Sequence, residues 1–286
     1  MDQIKPTFLL RDRNFVSKID TIIKGQSFDW DVDYNCCRSG DVTVFTDLCL
    51  GTVDNCNSRY KVAWIMESPE INWEIYLFIQ QHYNKFDAVL TYWTHLLSLS
   101  NKFVYYPNGN AWINGDDQQI YKKDKMLSII ASKKYSTSGH RLRHDIVSSF
   151  HNYPGFDLYG YAYTPLDNKL DGLRNYRYSF AIENCRYNTY FTEKLLDCFL
   201  TGTIPIFWGA PEITKFFNPA GIISFSSIEE VPSILNSLSN DDYTRRLPAI
   251  VDNFHTAKKY VSSNTNTWNV YFKKLSEELY GPLYLH

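Results

Sequence analysis

The chain of 286 residues has a formal charge of −2 and an apolar fraction of 44%, enough for one large domain or two of roughly 140 residues, each able to bury a core. So neutral a balance offers no overall basic field to nucleic acid, so any phosphate binding has to be local. No apolar run reaches the ~18 residues that cross a bilayer and no signal peptide is visible, so the expected location is cytoplasmic or peripheral to a membrane, without an integral membrane segment.

Cys36, Cys37, Cys49, Cys56, Cys185 and Cys198 are too sparse for a disulfide scaffold, and the first four lack both a zinc spacing and an accompanying histidine. No Asn-x-Ser/Thr acceptor occurs, which favours a life outside the secretory pathway. The 22 tyrosines and 7 tryptophans suit ring packing against sugars and equally suit a tyrosine-rich core.

In chain order, residues 1–60 are the least legible. Ile19–Ile23 fits a short helix and Val42–Phe45 alternates as a strand. Asp29, Asp31 and Asp33 alternate as in Asp-x-Asp metal motifs, but no apolar strand precedes them, so an acidic surface loop is expected. Residues 61–70, KVAWIMESPE, are clearer. Val62–Met66 is a buried strand that Glu67-Ser68-Pro69 ends abruptly, since Pro69 cannot donate to a ladder and keeps Ser68 from helical geometry. Glu67 thus falls at a strand's carboxyl end, where function collects in open α/β sheets. Phe86–Tyr92 and Phe103–Tyr106 are the next strands, before a turn at Pro107-Asn108-Gly109.

Residues 114–125 are polar and charged and read as an interdomain linker. A second α/β series follows: a strand over Met126–Ala131, a helix from His140 to Phe150 carrying Arg143, and a strand over Phe156–Tyr159. Residues 178–211 then form one tight unit. Tyr178–Ile182 is a strand, Glu183 and Asn184 stand at its end, Thr192 is a plausible N-cap, and Leu195, Leu196, Phe199 and Leu200 recur at helical spacing before Gly202 and the strand Ile204–Trp208. A helix N-terminus at the end of such a strand offers unpaired N–H groups to an anion. Lys194 in the first turn runs against the usual acidic preference, so something negative should offset it, and Glu193 is an acceptor suited to a hydroxyl pair such as that of a ribose. Ile222–Phe225 is another strand, Ser227 caps a helix, and the stretch after Asp241 is helical to near Tyr280.

The ordered run Glu183-Asn184, Tyr190, Thr192-Glu193-Lys194 and Gly-Thr-Ile-Pro-Ile-Phe-Trp-Gly at 202–209 resembles the donor-binding signature of the α1,3/α1,4-fucosyltransferases, glycosyltransferase family 10. In the first half, a strand closing in Glu-Ser-Pro, a Phe-Asp strand and an apolar strand before Pro and Gly follow the same order, extending the resemblance over about residues 60–280. It implies an α/β fold of GT-B type, two Rossmann-like domains facing a cleft. The expected division is an acceptor-side domain over 1–120, a nucleotide-sugar-binding domain over 121–270 and a tail over 271–286.

The resemblance further implies a transferase that moves a sugar, most readily L-fucose from GDP-fucose, to a hydroxyl of an oligosaccharide or glycoprotein glycan, with inversion. Glu67 matches the carboxylate that acts as base. Arg143 matches a diphosphate-binding arginine, with Arg141 as its competitor, and Lys194 joins it on the leaving group. Glu193 would hold the ribose, Asn184 the sugar or phosphate, and Tyr190 would wall the nucleoside. The two cations would do what a divalent metal does elsewhere, so no metal ligands and no obligatory metal or other cofactor are expected. Cys185 and Arg186 depart from the small or polar residues usual in the family, leaving another donor such as UDP-xylose open, as is a catalytically silent carbohydrate- or nucleotide-binding protein.

Overall fold

The structure is a computed structural model that describes residues 7–13, 30–107, 111–113 and 115–261. Short runs of β-branched and aromatic residues form its strands, and the segments between them are long enough for parallel pairing. The described residues divide into two compact units, those up to Pro107 and those from Ala111 to Val261.

In the first unit β1 (Phe8–Arg11), β2 (Trp30–Asp33), β3 (Val42–Thr46), β4 (Tyr60–Trp64), β5 (Ala88–Thr91) and β6 (Phe103–Tyr105) make a parallel sheet ordered β2-β1-β3-β4-β5-β6. Alternate residues of the same strands feed separate cores: Val42, Val62 and Leu90 enter one, Phe45, Ala63 and Val89 the other. Their near-continuous apolar sequence is what burial on both faces demands. Helices α1 (Trp73–His82) and α2 (Thr94–Leu97) and 3-10 segments at Asp47–Asn55 and Tyr83–Lys85 complete the described unit.

The acidic alternation is a strand, contrary to expectation: Asp31 and Asp33 lie on β2. Asp33 is buried because its carboxylate accepts the backbone N–H groups of Asn35, Cys37 and Arg38, while Asp31 pairs with Arg38. Asp29 and the Ile19–Ile23 helix fall outside the described residues.

The second unit contains β7 (Lys125–Ile130), helix α3 (Ser138–Phe150), β8 (Phe156–Tyr159), β9 (Tyr176–Ile182), helix α4 (Glu193–Leu200), β10 (Ile204–Trp208), β11 (Ile223–Ser224) and helices α5 (Val231–Ser237) and α6 (Asn240–Val261). Its parallel sheet is ordered β11-β10-β9-β7-β8, so the winding reverses between β7 and β9. In such a sheet the crevice at the carboxyl ends of those two strands is where ligands bind.

The described part of the stretch read as a linker packs within this unit. Ala111 and Ile113 pack with Phe199 and Leu200, and the backbone N–H groups of Trp112 and Ile113 donate to Asp197 Oδ1 of α4. Lys123 is buried, its ammonium donating to the carbonyls of Leu173, Arg174 and Thr201 and to Thr203 Oγ1. Polar composition misleads here because these polar groups are satisfied inside the unit. The expected helix beyond Val261 and the tail at 271–286 lie outside the described residues.

Candidate active site

Beside the reversal point, β9 is followed directly by Glu183 and Asn184, and two helices start against that end. The N-terminus of α3 is pinned there by Gly139, whose N–H donates to Asn184 O at 3.0 Å. A Cβ at Gly139 would fall 1.7 Å from Glu183 O, so no larger residue permits this approach. The helix is capped reciprocally by Thr137 and His140.

One turn into α3, Arg143 lies across the strand end. Its Nε donates to Ile182 O at 3.1 Å and its Nη2 to Asn184 Oδ1 at 3.1 Å. It is 6% exposed, and burial lowers its pKa against the opposing pull of Glu183 and Glu193. Arg141, its competitor in sequence, is exposed and donates to the carbonyl of Ser136, so Arg143 alone of the two joins the site.

At α4, Thr192 is the N-cap, accepting from Lys194 N, and it is itself held by Glu183, whose carboxylate accepts Thr192 N and Thr192 Oγ1 at 2.7 Å each. Lys194 Nζ lies 3.0 Å from Glu193 Oε1, 3.1 Å from Thr192 Oγ1 and 3.6 Å from Glu183 Oε2. The negative partner that Lys194 required is therefore partly internal. Glu183 is fully buried, and burial raises its pKa while Lys194 and the Thr192 bonds pull it down. Burial also acts on Glu193, but Lys194 and Lys169 outweigh it and hold the carboxyl at about 2. Lys169 in turn bonds Asp197 Oδ2 at 2.6 Å.

The structure thus gathers Arg143, Asn184, Glu193 and Lys194 around one strand end. Tyr190 is close enough to act on the charge of Arg143, but it is 2% exposed and presents no ring to solvent. Glu183 was given no role by sequence reasoning; the signal lay in a carboxylate ending an otherwise apolar strand. His140 was missed as well: burial and the nearby Arg143, Lys134 and Lys194 push its pKa down to about 4.

In the first unit, Glu67 is half-buried just past β4. Its N–H and that of Met66 donate at 2.9 Å to the two carboxylate oxygens of Asp47, while its carbonyl accepts the Tyr76 hydroxyl at 2.6 Å. Asp47 is fully buried, and burial raises its pKa to about 7. The adjacent Ser68 hydroxyl is buried without a hydrogen-bond partner among the described residues. Also among these residues, no three His, Cys, Asp or Glu side chains converge as metal ligands, and no helix is long and apolar enough to cross a membrane.

The two parallel-sheet units have the GT-B fold. They resemble the crystal structure of an α1,3-fucosyltransferase with GDP-fucose at a TM-score of 0.61 and 16% identity, over 97% of this chain and 92% of that one. An α-glucosyltransferase in complex with UDP and DNA is similar at a TM-score of 0.55 and 11% identity, over 96% and 100%. The model of glycosyltransferase family 10 (fucosyltransferase), C-terminal part, matches residues 120–273, more than half of the chain, and the chain belongs to that family. Curated relatives match over shorter stretches. The α-(1,3)-fucosyltransferase FucT of Helicobacter pylori is 39% identical over 57 residues, 20% of this chain and 12% of that protein; an α-(1,4)-fucosyltransferase of Arabidopsis thaliana is 32% identical over 72 residues, 24% and 18%.

Proposed function

We propose that the protein transfers L-fucose from GDP-fucose to a hydroxyl of a glycan acceptor, in one displacement with inversion and without an obligatory divalent metal. The observation that carries this reading is the gathering of Arg143, Asn184, Glu193 and Lys194 at the carboxyl end of β9 in a chain of this family. Arg143 and Lys194 meet the diphosphate, the guanidinium as a rigid fork and the ammonium as a movable charge. For this Lys194 exchanges Glu183 and Glu193 for phosphate oxygens. Glu193, ionised at any working pH, then accepts the ribose hydroxyls, and Asn184, already bonded to Arg143, lies toward the sugar or phosphate. Glu67 takes the proton of the attacking hydroxyl, a contribution of about 10²- to 10⁴-fold for a positioned base. The charge that develops on the departing GDP is met by groups already in place.

The test is a thermal-shift panel of GDP-fucose, GDP, UDP, UDP-xylose, UDP-galactose and UDP-glucose in EDTA, because a ligand bound only by the native state raises the melting temperature. Stabilisation by the guanine compounds alone is expected; stabilisation by a UDP compound keeps the roles of Arg143, Glu193 and Lys194 and overturns the donor. In transfer assays Glu67→Gln should lose activity while keeping donor affinity within about a few-fold. A donor shift without turnover toward any glycan favours a binding protein, and loss of transfer in EDTA removes the metal-independent reading.

A further inference from the structure

A side chain works as a base only where its backbone is held, and the backbone of Glu67 is held on both sides by buried groups that the roles above leave unused. On the N–H side stands the carboxylate of Asp47, the first residue past β3. Its Oδ1 accepts Met66 N and its Oδ2 accepts Glu67 N, both at 2.9 Å. On the carbonyl side the Tyr76 hydroxyl of α1 donates to Glu67 O at 2.6 Å, and the Tyr92 hydroxyl, just past β5, lies 3.3 Å from the same oxygen and 2.9 Å from Tyr76 Oη. Asp47, Tyr76 and Tyr92 are each at most 2% exposed. Beyond Glu67 the chain turns at once, Ser68 O accepting Ile71 N at 2.9 Å and Asn72 N at 3.1 Å.

Three separate segments therefore converge on one residue's peptide groups. Backbone contacts do not dictate which side chain stands at 67; they fix where its Cα sits and in which direction its Cβ leaves the chain. The arrangement is costly. Burial pushes the Asp47 pKa up to about 7, and the charges of Glu67 and of Asp12, just past β1, push the same way. Yet the ionised form is the one that fits, since it offers an acceptor to each N–H, whereas protonation turns one oxygen into a donor. A titratable group kept in so unfavourable a place beside a candidate base points to function, because displacing a reacting group by about 1 Å can cost about 10²-fold in rate.

We propose that Asp47 and Tyr76 are positioning residues for sugar transfer, fixing the backbone of Glu67 so that its carboxylate meets the attacking hydroxyl. The proposal rests on the reading of Glu67 as the base, and neither residue touches a reacting atom. Two variants test it. Asp47→Asn keeps the shape but presents one acceptor where two are needed, and Tyr76→Phe keeps the ring against Trp73 and Trp93 and removes the hydroxyl alone.

GDP release from GDP-fucose is followed with water alone and with lactose, N-acetyllactosamine and N-acetylglucosamine as acceptors. Asp47→Asn should lower kcat about tenfold or more and Tyr76→Phe about fivefold, each with the donor KM within about twofold of wild type. Wild-type kcat should rise through about pH 7 as Asp47 ionises, and Asp47→Asn should lack that inflection. In a Glu67→Gln background neither substitution should slow the residual rate further, because both act through the carboxylate already removed. Wild-type kcat in either variant, an inflection retained in Asp47→Asn, or a further loss in the Glu67→Gln background overturns the positioning role. If Asp47→Asn does not fold, Tyr76→Phe decides by the same kcat and double-variant readouts. Failure of the underlying reading looks different: Glu67→Gln then turns over at the wild-type rate, or the wild type releases no GDP at all.

Discussion

Lys194 meets two carboxylates before it meets any ligand, so its removal has two separable consequences. Lys194→Ala leaves Glu183 fully buried without its countercharge, and because Lys194 is itself 22% exposed the expected destabilisation is about 1–3 kcal/mol, below that of a wholly buried pair. Adding Glu183→Gln should recover most of that stability and none of the donor affinity. Denaturant midpoints and GDP-fucose titrations of the single and double variants check this, and recovery of affinity would mean that Lys194 acts only on the fold. His140 supplies a second prediction at this scale. Its folded pKa of about 4 lies below the ordinary value of 6.5, so between these limits the unfolded chain binds the proton that the folded chain refuses. Stability from this group is complete above pH 6.5 and is lost as pH falls toward 4, by no more than about 3 kcal/mol. His140→Gln, which can still cap α3, should flatten the melting temperature across that window.

At the scale of elements, the turn that follows β4 depends on a carboxylate nearly twenty residues earlier in sequence. Asp47 holds the N–H groups of Met66 and Glu67, and its pKa of about 7 lies above the ordinary 3.8, so the folded state keeps a proton that the unfolded chain sheds. Stability from this group therefore falls as pH rises from about 4 to 7, the opposite slope to that of His140, by no more than about 4 kcal/mol. Urea midpoints at pH 5 and pH 7.5 should show this slope in the wild type and its loss in Asp47→Asn; equal slopes would remove Asp47 as its source. That dependence also explains what sequence reading reached and what it missed. The β9–α4–β10 unit was legible because its signals are local: an apolar run, a Thr192 cap, helical spacing from Leu195 to Leu200, and Gly202 at a φ of +71° past the helix end. The four-residue strands β1 and β2 were missed, since Trp-Asp-Val-Asp carries too little apolar pattern to announce an edge strand. The clamps of Asp47 on Glu67 and of Glu183 on Thr192, and the burial of Tyr190, depend on which distant segments share a strand end, and spacing alone does not report that.

Across the whole molecule, each unit has its own sheet and its own pair of hydrophobic clusters, so each carries the burial needed to unfold as a cooperative body. Scanning calorimetry of the full chain should resolve two transitions. GDP-fucose at a hundred times its Kd should stabilise that of the second unit by about 2.7 kcal/mol and leave the other in place; one transition that moves as a whole would show that the units unfold together. The pairing of charges at the end of β9 bears on kinetics too. Lys194 lies within 4 Å of Glu183 and Glu193, and both carboxylates also act on the charge of Arg143, so two positive charges are matched by two negative ones and little field reaches the surrounding solvent. A nucleotide approaching by diffusion is therefore scarcely steered. Its rate of capture should change little with ionic strength, while its rate of escape, which restores the internal pairs, carries most of the difference between tight and weak donors.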